Sequence, residues 1–329
     1  MLIPPRYRHI PEITSLLTSI EGSREVIDAI AIPPEVETNI RRRSTLKSSL
    51  FSARVEGNPL TMDELTRSSE TQKKLEVMNI LKAISYINST KNRDVSEKDI
   101  LKIHEISMKG LIEPDKLGRL RNNMEAIFNE AGIAIYMPPP PKQLPGLIQK
   151  LMKYVKSPKE KFVPVKAALA HFTFEKIHPF LDGSGRVGRL LMQKILAQGG
   201  YGMKGLLTIE EYIDNHRSEY YRMLEEPEKD ATDYLLFMLT AIDETANGAK
   251  KLVMQKQEAD VADYLLPRRG EIYTIIKEQK LIQFDQIKRR FMKVNSRTLR
   301  YDLKKLQDQG LIRKRGTTRG VYYEVIKGQ

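Results

Sequence analysis

The 329-residue chain contains no cysteine. That excludes disulfides, thiolate metal sites and cysteine nucleophiles. No run approaches 18 apolar residues, so no transmembrane helix and no membrane partner are expected. The first residues, Met1 to Ile13, carry prolines and charges where a secretory signal needs an apolar stretch. Together these absences point to a cytoplasmic location. Hydrophobic residues make up 40% and charged residues 29%, which excludes a disordered, collagen-like or coiled-coil chain. The length suggests two or three domains and is enough to bury a core.

What is present is basic charge, unevenly spread. The net charge is +13. Residues 262–329 hold 17 Lys/Arg against 7 Asp/Glu, while the first 261 residues hold 38 against 35. A basic terminal module on a near-neutral body is the pattern of a nucleic-acid-binding appendage.

The periodicity is mostly helical. Residues 36–54 place Val36, Ile40, Leu46, Leu50 and Phe51 at helical spacing and stop at Glu56-Gly57-Asn58-Pro59. Residues 70–88 form a stripe of Leu75, Met78, Leu81, Ile84 and Ile87. Ser96 opens a helix containing Ile100, Ile103 and Ile106. Two short apolar runs, Ala126-Ile127-Phe128 and Ile133 to Tyr136, flank Asn129-Glu130-Ala131-Gly132 and predict a β-hairpin. Pro138 to Pro141 then exclude helix or central strand. Helices are expected at about 143–156, 163–177, 186–198 and 208–225, and from Ala231 to about Leu265.

One segment carries chemistry: Ile177-His178-Pro179-Phe180-Leu181-Asp182-Gly183-Ser184-Gly185-Arg186-Val187-Gly188-Arg189. Pro179 ends the alanine-rich helix at His178. Glycines before the next helix let backbone N–H groups approach an anion, and the helix dipole favours negative charge there. Cations are unfavourable at that end of a helix. Arg186 and Arg189 therefore make sense if something strongly negative binds between them. Asp182 suits a divalent cation bridging phosphates, and His178 suits a general base. As a bare helical corner, His178 would be a buried residue, Asp182 a cap and the arginines a solvated face. That reading leaves the paired arginines unexplained. His171 reads as a satisfied core histidine rather than a metal ligand.

The segment resembles the signature of the Fic (Fido) family, H-x-F-x-[D/E]-G-N-G-R-x-x-R, at His178, Phe180, Asp182, Gly183, Gly185, Arg186 and Arg189. It departs at Ser184, where the family usually has Asn. The resemblance covers roughly residues 30–250. It implies a mainly α fold: a Fic helical core with a β-hairpin flap. It further implies a protein adenylyltransferase that moves AMP from ATP, with Mg2+, to a Ser, Thr or Tyr hydroxyl of a protein, the chain itself included. His178 would be the base and Asp182 the metal ligand. Asp182, Gly183, Ser184, Gly185, Arg186, Val187, Gly188 and Arg189 would form the ATP site, with Tyr220 at the base and Tyr221 in the core. Gly118-Arg119-Leu120-Arg121 and the hairpin look like the family flap, with Ala126, Ile127 and Phe128 clamping a target peptide by strand addition. Ser52-Ala53-Arg54-Val55-Glu56-Gly57 resembles the family's inhibitory motif, with Ser52, Glu56 and Gly57 at its fixed positions. That implies Glu56 paired with Arg189, in the place of the ATP γ-phosphate. Removal of AMP, other nucleotidyl or phosphoryl transfers, and a nucleotide-sensing transcriptional regulator are the alternatives.

In the basic module, residues 268–279, 283–291 and 296–309 read as three helices. Residues 311–315 and 321–325 read as strands around Gly316 to Gly320. This resembles a winged helix-turn-helix. Arg297, Arg300, Tyr301 and Lys304 would face a DNA groove, and Arg313, Lys314, Arg315 and Arg319 would meet phosphates. The expected organisation is an N-terminal helical region at 1–95, a catalytic core at 96–260 and the winged module at 266–329. A homodimer is left open.

Overall fold

The computed structural model describes residues 1–67, 71–128, 134–255, 262, 265–292, 294–316 and 321–326. Prolines open helices here rather than break them. α1 (Pro11–Ala29) and α2 (Pro34–Val55) each begin on one, where the missing N–H has no intrahelical role. Gly57, at φ +93°, follows the end of α2, a left-handed stop that glycine adopts freely. A short α3 (Met62–Arg67) precedes α4 (Gln72–Ser89), which Thr71 caps by accepting from the N–H of Lys74. α5 (Glu97–Met108) starts at Ser96 with a full capping box to Asp99.

β1 (Ile127–Phe128) pairs antiparallel with β2 (Ala134–Tyr136), Ile127 opposite Tyr136 and Phe128 opposite Ala134. α6 (Leu144–Lys156), α7 (Val163–Ile177) and α8 (Ser184–Gln198) follow, then α9 (Ile209–Asn215), α10 (Arg217–Leu224) and α11 (Thr232–Gln255).

α7 is the axis of this unit. Residues on every side of it, from Ala167 to Ile177, are buried, the polar His171, Thr173, Glu175 and Lys176 among them. It packs along α8, and α8 also packs on α4 and α5. Phe172, Phe174 and Phe180 are fully buried, each worth about 1.5–3 kcal/mol relative to exposure. Residues 1–30 and 41–253 form one compact unit.

Residues 31–40 and 254–329 form the second unit. It contains α12 (Pro267–Gln279), β3 (Ile282–Gln283), α13 (Phe284–Arg290), α14 (Ser296–Asp308), β4 (Ile312–Arg315) and β5 (Tyr322–Val325). The antiparallel sheet runs in the order β3-β5-β4. Ile272, Ile276, Ile287, Leu299, Leu303, Leu306 and Ile312 fill its core.

Several expectations need correction. In α4 the buried stripe is Val77, Ile80, Ala83, Ile84 and Ile87, whereas Met78 is exposed. The expected helix 208–225 is two helices, broken at His216 with φ −119° and ψ 35°. α8 begins two residues earlier than expected, because Gly183 takes a left-handed N-cap conformation. α1 is an addition to the expected helices, with Ile13, Leu17, Ile20 and Ile27 lining its buried face. The hairpin turn at 129–133, the strand connection at 317–320 with Arg319, and residues 256–261 lie outside the described residues.

Candidate active site

His178 caps α7 with φ 44° and ψ 65°. A left-handed non-glycine residue costs on the order of 1–2 kcal/mol and persists only where its surroundings hold it. Arg121 holds it. Its Nε donates to the His178 carbonyl at 2.8 Å, its backbone N–H to the Pro179 carbonyl at 2.9 Å, and its Nη2 to the Pro139 carbonyl at 2.6 Å. Arg121 thus ties the flap entry, the proline run and the loop after α7 into one junction. The imidazole Nδ1 of His178 is buried without a partner. Burial pushes its pKa below 6.5, against the raising influence of Glu56, so the ring is neutral at pH 7 and able to accept a proton.

The N–H groups of Ser184, Gly185 and Arg186 lie in the first turn of α8, where no intrahelical acceptor exists. Two of the residues expected at the ATP site serve otherwise. The N–H of Val187 donates to the Gly183 carbonyl and its side chain is fully buried. Gly188 is where α7 and α8 meet: an added Cβ would stand 2.0 Å from Glu175 Oε1. The Ser184 hydroxyl both accepts from the Phe180 N–H at 3.0 Å and donates to the Phe180 carbonyl at 3.1 Å. It closes the loop from inside, so Ser184 offers a phosphate only its backbone. Gly183 is packed against Met108, and a Cβ there would lie 2.6 Å from its sulfur.

His104, which no motif in the sequence marks, fastens the loop from beneath. It stacks on Phe180 with ring centroids 3.8 Å apart. Its Nδ1 accepts from the Gly118 N–H at 2.9 Å and its Nε2 lies 3.1 Å from the Asp182 carbonyl. Since Nδ1 accepts, Nε2 carries the proton. Burial lowers its pKa to about 4.

Both signature arginines are buried and engaged. Arg189 is 1% exposed. Its Nη2 donates to Glu56 Oε1 at 2.8 Å and to the Ser52 carbonyl at 2.9 Å, and its Nε donates to the Ser52 hydroxyl at 3.1 Å. Burial alone would raise the Glu56 pKa, but the charges of Arg189 and Arg186 and the Arg189 hydrogen bond hold it below the usual carboxylate range. A Cβ on Gly185 would stand 2.5 Å from Glu56 Oε1. Glu56 thus reaches the mouth of the α8 N-terminus only because residue 185 has no side chain. Arg186 donates through Nη1 to Glu76 at 2.7 Å and through Nη2 to Asp182 at 2.6 Å.

Asp182 is the expected metal ligand. Its side chain is 55% exposed, and Arg186 engages Oδ1. Among the described residues no group of three or more His, Asp or Glu stands ready for a resident ion. One open carboxylate fits Mg2+ that arrives with a nucleotide, since Mg2+ is commonly held by one or two carboxylates plus phosphates.

The burial of the two tyrosines of α10 is the reverse of that expected. Tyr220 is 1% exposed, and its hydroxyl lies 3.2 Å from His171 Nε2. His171 Nδ1 lies 2.7 Å from the Tyr234 hydroxyl. Tyr220 is therefore core. Tyr221 is 40% exposed and donates to the Val55 carbonyl at 3.0 Å, at the end of α2 beside Glu56. The stretch Tyr220-Tyr221 offers no sequence signal for which ring points inward, because helix phase alone decides it. In the flap, the Tyr136 hydroxyl donates to the Lys176 carbonyl at 2.9 Å, which anchors β2 to α7.

Residues 94–196 match the Fic/DOC family model. Over 226 residues, 63% of this chain, the sequence is 30% identical to the protein adenylyltransferase Fic of Drosophila melanogaster, and to that of Drosophila simulans. The match spans 42% of those proteins. In fold, the chain is similar to a Fic family protein from Desulfovibrio desulfuricans, with a TM-score of 0.67, 23% identity and 99% of each chain covered. It is also similar to Fic-1 of C. elegans, with a TM-score of 0.58 and 19% identity over 74% of this chain and 72% of that one. Residues 94–196 thus carry the match to the Fic/DOC family, and the fold is that of Fic-family structures.

Proposed function

We propose that this protein transfers AMP from ATP to a Ser, Thr or Tyr hydroxyl of a protein, and that Glu56 restrains it. The observation that carries this reading is the pairing of a neutral, desolvated His178 with an open helix N-terminus whose two arginines are both buried. The adenylyltransferase relatives support the same chemistry. The N–H groups at 184–186 and the α8 dipole receive the phosphates. Arg186 and Arg189 balance their charge. His178 takes the proton as the target oxygen forms its bond to the α-phosphorus, and the bond from that phosphorus to the bridging oxygen breaks to release pyrophosphate. Asp182 is the residue that would hold Mg2+, which would supply charge neutralisation at the phosphate oxygens when bound. In the inhibited state the Glu56 carboxylate occupies Arg189, so the γ-phosphate lacks its counter-charge and the α-phosphate is misaligned. Incubation with α-labelled and γ-labelled ATP tests this: protein labelled only from the α position is expected, and label from the γ position would mean phosphorylation instead.

A second activity is proposed for residues 266–329, read as a winged helix-turn-helix that binds DNA. Arg297, Arg300, Tyr301 and Lys304 are exposed on α14, as are Arg313, Lys314 and Arg315 on β4. Arg313 and Arg315 both pair with Glu324, so α14 is the more available basic face. Duplex binding that weakens steeply with salt is expected. Its absence at low salt would favour a protein-binding role.

A further inference from the structure

The inhibitory segment touches the second signature arginine directly, and it also reaches the first by another route. Asn58, two residues beyond Glu56, is 7% exposed. Its Nδ2 donates to Glu76 Oε2 at 2.8 Å and to the Lys73 carbonyl at 2.9 Å, while its Oδ1 accepts from the Leu60 N–H at 3.1 Å. The other oxygen of Glu76 accepts from Arg186 Nη1 at 2.7 Å. A continuous chain, Asn58–Glu76–Arg186, therefore runs from the α2 end through α4 to the first turn of α8.

Arg186 lies between two carboxylates of unequal freedom. The Asp182 side chain is 55% exposed, on the loop, and the Glu76 side chain is 14% exposed and tied to Asn58. The guanidinium Nε is buried with no partner. One guanidinium facing two carboxylates has a surplus of negative charge around it, and a phosphate binds there only if one carboxylate gives way. The exposed one is free to move, and it is also the candidate Mg2+ ligand. The tethered one stays.

We propose that Glu76 is a positioning residue for Arg186, held in register by Asn58, so that residues 52–58 set both signature arginines. This rests on the reading of the α8 N-terminus as a triphosphate cradle. When MgATP binds, Asp182 turns to the cation and Arg186 Nη2 is released to a phosphate oxygen. Glu76 keeps Nη1 and with it the guanidinium plane, as a charge-assisted bond to a fixed carboxylate does. Without Glu76, Arg186 collapses onto Asp182, and both the cation and the phosphate must compete with that pair.

The test uses the full chain. MgATP affinity is measured by calorimetry in a Glu56→Gly, His178→Ala background, which binds without turnover, and kcat and KM are measured in Glu56→Gly. Glu76→Ala is expected to weaken MgATP binding about tenfold, equivalent to one lost charge-assisted contact, and to raise KM by more than it lowers kcat. Asn58→Ala leaves the carboxylate but unties it, so a smaller loss, about threefold, is expected. Added to Glu76→Ala it should change nothing further, because it acts through Glu76. Unchanged or tighter MgATP binding in a folded Glu76→Ala variant would overturn the proposal. If that variant does not fold, unchanged binding in Asn58→Ala does so. If the affinity pattern holds while even Glu56→Gly transfers no AMP, the transfer reading falls and the positioning role stands.

Discussion

Glu56 and Arg189 meet at 2.8 Å across 133 residues of sequence, with Ser52 completing the shell of the guanidinium. The arginine is 1% exposed and the carboxylate side chain 28%. Removing a partner from a pair this buried leaves an uncompensated charge, which costs about 3 kcal/mol. Glu56→Gly should therefore melt at a lower temperature than the wild type. It should also self-label from α-labelled ATP at least about tenfold faster, because misalignment of reacting atoms is costly in rate. MgATP should restore its melting temperature more than it raises that of the wild type, since phosphate replaces the lost carboxylate. Equal labelling in the two proteins would remove Glu56 from any inhibitory role.

His178→Ala should keep the fold and MgATP affinity and lose labelling by about 10²–10⁴-fold, the usual contribution of a general base. The pH dependence has a defined sign. Burial lowers the His178 pKa, so the basic form is present at neutral pH and the rate falls only on the acid side, below the ordinary histidine midpoint of about 6.5. A pH–rate profile of Glu56→Gly checks this; an acid limb centred above that midpoint would mean another group supplies the base.

Glu175 is buried on α7, 3.7 Å from His171 Nε2, with Oε1 unpartnered by any hydrogen bond. Burial raises its pKa from 4.5 to about 8. The unfolded chain therefore releases this proton first, and the wild type loses stability as pH rises from 4.5 towards 8. Glu175→Gln removes that loss. Its stability relative to the wild type should rise between about pH 5 and pH 8, by an amount on the order of a few kcal/mol. Urea melts at both pH values measure it; a pH-independent difference would place an ionised carboxylate at this position.

His171 shows the opposite slope. Burial lowers its pKa from 6.5 to about 3, so the unfolded chain takes a proton that the folded chain refuses. Its contribution to stability is present above 6.5 and is lost as pH falls towards 3. Tyr220→Phe and Tyr234→Phe each remove one hydroxyl from this ring and should cost about 1–3 kcal/mol, while Tyr221→Phe, on an exposed residue, should cost less. Melting the three variants side by side tests which tyrosine is core.

Charge reversal of Arg300 and Lys304 to Glu should abolish duplex binding by the full chain and leave self-labelling of Glu56→Gly unchanged. Each lost phosphate contact reduces the slope of log affinity against log salt by about 0.9. Fluorescence anisotropy across a salt series, with single substitutions that retain some binding, reads this. Unchanged affinity together with an unchanged slope would take α14 out of the interface.

Local rules written in the chain account for much of this protein. Pro179 ends α7 at His178, Ser96 with Asp99 starts α5, and Gly57 stops α2, because capping and proline sterics act within a few residues. The loop glycines and arginines mark an anion site because helix termini have a fixed polarity. The motif around Glu56 names its residues but not their neighbours.

Tertiary packing decided the rest. Tyr220 turns inward and Tyr221 outward because of how α10 is rotated against α7, and adjacent tyrosines carry no signal of that phase. The Ser184 hydroxyl is spent on the Phe180 backbone, and Phe180 itself is stacked on His104 from α5. Glu76, tied to Asn58, reaches Arg186 only because α4 packs on α8 and brings positions 110 residues apart into hydrogen-bonding range. Propensity and capping are set by neighbours in sequence, whereas the partner of a buried charge is set by whichever helix covers it.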